Sequence, residues 1–260
     1  MSHRNERALT VGSLARVEGE GALRLRVQDG DVTEAQLNIY EPPRFFEAFL
    51  RGRGHTEPPD ITARICGICP VAYQLSACLA IEDACGIVVD ESVTALRRLL
   101  YCGEWISSHA LHIYLLHAPD FLGYPGVVEM AREHRTVVER GLALKKVGNA
   151  ILSTVGGRAI HPVNVRVGGF YRAPGSADLG GLVEPLRRAL DDALATVSWV
   201  AGFDFPDFTH DHELLALVDA GRYAIEGGRP GTDRGLHFDV RSFEEHVREE
   251  QVTHSTALHA

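Results

Sequence analysis

Over the first forty residues, apolar and polar positions alternate in short runs, LTVGSLARV, ALRLRVQ and VTEAQLNIY. A period of two predicts half-buried strands. Gly19 to Gly21 and Asp29-Gly30-Asp31 separate the runs with turn chemistry, so the segment reads as a small antiparallel meander. Glu41-Pro42-Pro43 stops it, and a short helical stretch through Glu47, Phe49 and Leu50 leads into the loop GRGHTEPPD. From Ile61 the period becomes helical. VAYQLSACLAIEDACG runs apolar at helical spacing from Pro70, and ESVTALRRLLYCGEWISSHALHIYLLHA predicts a long helix ending at Pro119. Further helices are predicted at about 129–155 and 181–202, where EPLRRALDDALATVSWVAG is clearly amphipathic. Between them, GGRAIHPVNVRVGGFYRAPG has the glycines and prolines of an ordered, irregular loop. The last twenty-five residues are polar and carry no closing structural signal. The expected fold is therefore mainly α, a helical bundle with a small N-terminal antiparallel β-sheet. It divides into a β meander at 1–42 and a helical region at 43–260, the two sharing one structural domain.

Composition narrows the function classes. The 260 residues are 45% hydrophobic and 23% charged, enough for a sizeable core and unlike a disordered chain. A formal net charge of −9 argues against a nucleic-acid partner, because that affinity comes from clustered Lys and Arg on phosphates. No apolar stretch has the length of a signal peptide or a membrane span, which predicts a cytoplasmic protein. Five cysteines, an odd number without a secretory signal, fit reduced thiols used for packing, metal binding or catalysis.

The sharpest candidate chemistry is RICGICP, Arg64 to Pro70, where two thiols three residues apart open a predicted helix. That spacing puts both sulfurs on one side of a turn, and the positive helix N-terminus favours thiolates. Half a zinc site, a thioredoxin-like dithiol and half a soft-metal catalytic site all share this pattern. Zinc needs a second close pair, which Cys78, Cys85 and Cys102 do not supply, and a thioredoxin motif follows a buried strand rather than PPDITA. Cys78, Cys85 and Cys102 fall on or near apolar helix faces and read as packing residues. His109 and His112 read as hydrogen-bonding helix residues, and His210 and His212 as surface loop. Glu18, in ARVEGEG, lies at a strand end beside glycines that let the backbone approach something closely. No glycine-rich phosphate loop occurs, so nucleotide or flavin binding is not expected.

Taken in order, RVEG at Arg16 to Gly19, RFFE at Arg44 to Glu47, RICGICP, LHIYLLHAPDF at Leu111 to Phe121 and GGRAIHPVNVRVGG at Gly156 to Gly169 resemble the nickel-iron hydrogenase large subunit. The resemblance runs through nearly the whole chain. It implies reversible heterolytic cleavage of H2 at a nickel-iron centre whose iron carries carbon monoxide and cyanide. Cys66 would be a nickel ligand, Cys69 a nickel and iron bridge, and Glu18 the proton-transfer glutamate. Glu47 matches a ligand of a buried magnesium ion, and Asp120 an acidic residue near the iron. His161, with Pro162, would shape the site without ligating metal, and Arg64 and Tyr73 would flank the cysteines. Tyr73 stands where many relatives carry histidine, and VAYQLSA looks like the NAD(P)-linked or sulfhydrogenase-type branch.

The family closes with DPCxxCxxH, which supplies the other two nickel thiolates, and this sequence has no such motif. The resemblance therefore implies an incomplete large-subunit fold, inactive as this chain alone and completed by a chain or continuation carrying DPCxxC. The implied partners are an iron-sulfur small subunit and diaphorase-type subunits, with electrons passing to NAD(P) or a similar acceptor. The competing expectation is an inactive truncated or split homologue that serves as an assembly or scaffold piece without metal.

Overall fold

The alternating N-terminal runs pair as strands in the computed structural model, which describes residues 6–42 and 44–259. β1 (Glu6–Val11), β2 (Gly21–Gln28) and β3 (Asp31–Ile39) form an antiparallel sheet in the order β1-β2-β3. The register sets Val11 opposite Leu23 and Leu23 opposite Leu37, so apolar side chains line up across the three strands. The β2–β3 turn is tight because Asp29 and Gly30 both take positive φ, 54° and 102°. The first run is only half strand. Its ARV portion belongs to the β1–β2 connection, where Arg16 sits at φ 63°. Pro43, part of the predicted strand breaker, lies outside the described residues.

Helices follow, with several ends displaced from their expected places. α1 (Phe46–Leu50) is the predicted short helix, but α2 (Pro58–Thr62) begins inside the predicted loop, three residues ahead of the expected change at Ile61. Proline at the start of α2 is pre-set for the first helical turn, where its missing N–H goes unused. A 3-10 turn, Ala63–Ile65, leads to the cysteine loop and then to α3 (Pro70–Cys85), which Gly86 ends in the left-handed region at φ 66°. Asp90 caps α4 (Glu91–Ala110) by accepting the Val93 N–H at 2.9 Å.

α4 does not end at Pro119. The rod continues as a π turn, Leu111–His117, into α5 (Ala118–Phe121), where Pro119 again occupies a first turn. The helix expected at 129–155 is two helices, α6 (Val127–Glu133) and α7 (Arg135–Gly156), broken at His134. The irregular loop holds one two-residue ladder, β4 (Val165–Arg166) with β5 (Gly169–Phe170). α8 (Ser176–Val200) starts ahead of the expected 181, with Asp178 accepting the Gly175 N–H at 2.9 Å.

Two compact units emerge. One comprises Phe46–His212 and Gly221–Gly228, and its core joins Val71, Leu75 and Cys78 of α3, Leu100 and Tyr101 of α4, Ile151, Leu152 and Val155 of α7, and Val165 and Leu182. α4 and α7 cross closely at glycines: a Cβ on Gly148 would lie 2.6 Å from Gly103 O. A buried bidentate pair ties α3 to α4, Arg97 donating to Glu82 at 2.6 and 2.8 Å, and Glu82 also accepts the Gly168 N–H at 2.7 Å.

The other unit holds the sheet, Met1–Phe45, together with Glu213–Ala220 and Arg229–Ala260. Both late segments group with the strands by their contacts. β6 (Leu215–Val218) and β7 (Arg229–Thr232) pair antiparallel, as do β8 (Glu250–Gln251) and β9 (Leu258–His259). Thr256 donates its N–H to Ile39 O at 2.7 Å and its hydroxyl to Glu41 O at 3.0 Å, which fastens the late segment to the end of β3. No helix among the described residues is long and apolar enough to cross a membrane.

Candidate metal centre

The cysteine loop runs from the 3-10 turn to α3. At Cys66 the backbone is extended, with φ −142° and ψ 138°, and Cys69 then occupies the N-cap of α3. This folds the loop back on its first sulfur. The backbone N–H groups of Ile68 and Cys69 both donate to Cys66 Sγ, at 3.3 and 3.2 Å. Two donors aimed at one sulfur fix its orientation within the loop. The Cys66 and Cys69 sulfurs lie within 4.8 Å of each other and are half-buried, so one soft ion could take both.

The loop is held on both sides. Ahead of it, the His161 Nδ1–H donates to Ala63 O at 2.8 Å, with His161 itself in the left-handed region at φ 48°. That ring nitrogen is committed to a carbonyl, so His161 shapes the turn before Cys66. Gln74 Nε2 donates to Pro162 O at 2.6 Å and ties the same loop to α3, and the Thr62 hydroxyl donates to Tyr73 O at 3.1 Å. Behind it, Glu104 of α4 accepts the Val71 N–H at 2.6 Å. Glu104 is buried, and burial pushes its pKa up to about 7 although the Val71 and Ala72 N–H groups oppose the rise.

The other expected residues are distributed as follows. Arg64 is exposed in the 3-10 turn, and Tyr73 is half-buried in the first turn of α3. Asp120 is exposed in α5, and Glu47, matched to a buried magnesium site, is exposed in the first turn of α1. Glu18 is exposed and lies in the sheet unit, in the β1–β2 connection. His109 and His112 each turn Nδ1 onto a carbonyl of their own helix, at 2.7 Å from Trp105 O and Ser108 O.

The remaining thiols separate by burial. Cys78 is buried and its pKa is pushed up to about 12, chiefly by desolvation, so it stays a protonated packing group. Burial raises Cys102 as well, whereas Cys85 is exposed and is not packed as the sequence suggested. Sequence reasoning passed over Glu104 and Gln74. Their signal was a polar residue at a core-facing helical position, Glu104 one turn from Leu100 and Gln74 beside Leu75.

The donor set can be tested against the group that the resemblance implies. Two cysteine sulfurs held together, one with N–H support, suit a soft redox metal and would be half of the four-sulfur donor set that the resemblance implies. The loop fits that half.

Comparison with known proteins points the same way. A family model described as nickel-dependent hydrogenase matches residues 44–143. Sulfhydrogenase 1 subunit alpha of Pyrococcus furiosus is 37% identical over 254 residues, 97% of this chain and 59% of the relative. Sulfhydrogenase 2 subunit alpha of the same organism is 44% identical over 176 residues, 68% of this chain and 43% of the relative. Among solved structures, an NAD+-reducing [NiFe]-hydrogenase in the H2-reduced state superposes with a TM-score of 0.87 at 27% identity, over 96% of this chain and 60% of that one. This chain thus spans 43 to 59% of the length of the two sulfhydrogenase relatives.

Proposed function

We propose, from the premise that this chain belongs to the nickel-dependent hydrogenase family, that it forms the first-cysteine-pair portion of a catalytic large subunit performing reversible H2 cleavage. The carrying observation is the Cys66–Cys69 loop, with two sulfurs within 4.8 Å at the start of α3 and two N–H groups on Cys66 Sγ.

In this reading Cys66 and Cys69 would be the two thiol ligands that this chain offers to a nickel-iron centre. A nickel-iron centre, once bound, supplies the redox and Lewis-acid chemistry that splits H2 into two protons and two electrons. The chain's own residues do the rest. The Ile68 and Cys69 N–H groups orient the Cys66 sulfur, and His161 fixes the turn ahead of it through Ala63 O. Glu18 is the carboxylate proposed to accept the proton, on the strength of its place in RVEG. Glu47 offers the hard oxygen donor that magnesium prefers, and Asp120, Arg64 and Tyr73 are proposed to set the polarity around the centre.

The partners follow from the relatives. Both sulfhydrogenase relatives are alpha subunits, which supports a partner subunit, proposed here as an iron-sulfur protein that takes the electrons. The NAD+-reducing structural relative supports NAD(P) as the final acceptor, reached through diaphorase-type subunits. The test is to purify the assembled complex, measure nickel and iron, and follow H2-dependent dye reduction. Stoichiometric nickel and H2-dependent reduction, both lost in Cys66→Ser, are the expected result. A nickel-free complex, or Cys66→Ser with full nickel and activity, would overturn the reading in favour of a metal-free assembly piece.

A further inference from the structure

We propose that Glu104 is a positioning residue for the cysteine loop: from α4 it caps the N-terminus of α3 in place of the residue at the cap, so that the cap N–H groups do not claim the Cys69 sulfur that would ligate metal. The second half of this inference rests on the metal reading above.

A helix begins with N–H groups that have no partner within it, and the N-cap side chain normally accepts one of them. The N-cap of α3 is Cys69, whose side chain makes no cap hydrogen bond. Pro70 follows and has no N–H to satisfy. The first open donors are therefore Val71 and Ala72, both carried by a buried turn. Leaving such donors unpaired away from water would destabilise the turn.

Glu104 meets this need across 33 residues of sequence. Its Oε2 lies 2.6 Å from the Val71 N, and the Ala72 N–H is a second donor to the same carboxyl. Glu104 is only 2% exposed, so the contact is made in a dry place. A thiol at Cys69 that capped its own helix would have to point at those same two N–H groups. With Glu104 seated there, the Cys69 side chain makes no cap bond, and its sulfur lies within 4.8 Å of the Cys66 sulfur. The arrangement divides two tasks that one N-cap side chain cannot perform together. Cys69 supplies the ligand, and α4 supplies the cap.

The test is a nickel(II) titration of the purified full-length chain, read by thiolate-to-nickel charge-transfer absorption, on wild type, Glu104→Ala, Glu104→Gln and Cys69→Ser. Glu104→Gln keeps an acceptor oxygen at the cap and is expected to bind within about threefold of wild type. Glu104→Ala removes it and is expected to weaken nickel binding by about 10–100-fold, the usual cost of losing a residue that orients a ligand. A conservative rescue of this kind separates acceptor chemistry from mere filling of space.

Amide hydrogen exchange on the wild-type chain reads the cap independently, should Glu104→Ala fail to fold. Val71 and Ala72 are expected to be protected in wild type and in Glu104→Gln. Rapid exchange at both amides, or equal nickel affinity in Glu104→Ala and wild type, would overturn the proposal. A wild-type band that is absent, or unchanged in Cys69→Ser, would instead overturn the metal reading and the sulfur-release half with it. Protected amides in that case would still uphold the cap.

Discussion

Cys69 and Cys78 stand nine positions apart, the first half-buried at the start of α3 and the second in the core. Cys78 has its pKa pushed to about 12, so at pH 8 only about one molecule in ten thousand carries the thiolate. Iodoacetamide at pH 8 should therefore modify exposed Cys85 in the native chain and leave Cys78 untouched, as peptide mass mapping would show. Equal labelling of the two would contradict the core placement of Cys78. Glu104 carries a pH signature of its own. Its pKa rises from 4.5 unfolded to about 7 folded, so the protonated form favours the fold. That contribution is complete below pH 4.5 and is lost as pH rises through 7, a change on the order of 3 kcal/mol. Urea midpoints measured from pH 4.5 to 8 should show wild type losing ground to Glu104→Gln across this window, and parallel curves would refute the assignment. The residue scale also shows what the sequence could tell. RICGICP announced Cys66 and Cys69 because spacing and helix start are local properties. Glu104 and Gln74 went unread because their partners are Val71 and Pro162, which only the packed helices bring within reach.

Elements were legible where a local signal ends them. Gly86 and Gly157 stop α3 and α7 at positive φ, and the three strands follow the alternation of the chain. Helix ends went astray where proline was taken as a terminator or as loop chemistry: Pro119 and Pro58 occupy first turns instead. Two elements carry predictions. The α4–α7 crossing leaves no space for a methyl group, since a Cβ on Gly148 would meet Gly103 O and Ser107 N, both at 2.6 Å and both backbone. Gly148→Ala should destabilise the helical unit by about 1–3 kcal/mol despite the better helix propensity of alanine, and a raised melting temperature would refute the close approach. The Arg97–Glu82 pair is buried on both sides, so Arg97→Ala leaves a carboxylate without its cation. Denaturant titration should register a loss of about 3–5 kcal/mol, because the remaining charge has no water to turn to.

At the scale of the whole molecule, the mainly α content with a small antiparallel sheet was readable from periodicity, and the superposition with the hydrogenase fold agrees with it. The composition of the sheet unit was not readable. Residues 229–260 join it through pairings such as Thr256 with Ile39, 217 positions apart, and no local pattern encodes a partner so distant. Thr256→Ala removes the hydroxyl's hydrogen bonds to Ile39 O and Glu41 O but keeps the backbone one. It should lower the stability of the sheet unit by about 1 kcal/mol, with little change expected in exchange rates within α3 and α7. Faster exchange in those helices would show that the late segment supports more than the strands.

The π turn at Leu111–His117 has a geometric consequence for everything after it. A π turn holds one residue more than an α turn, and each helical residue rotates the face by about 100°. Leu111–His117 thus acts as a phase shifter in an otherwise continuous rod, and the azimuth of Ala118–Phe121 is set by a count of residues rather than by their chemistry. No single substitution in that turn restores the phase; removing one residue does, and it would swing Asp120 to another side of the rod.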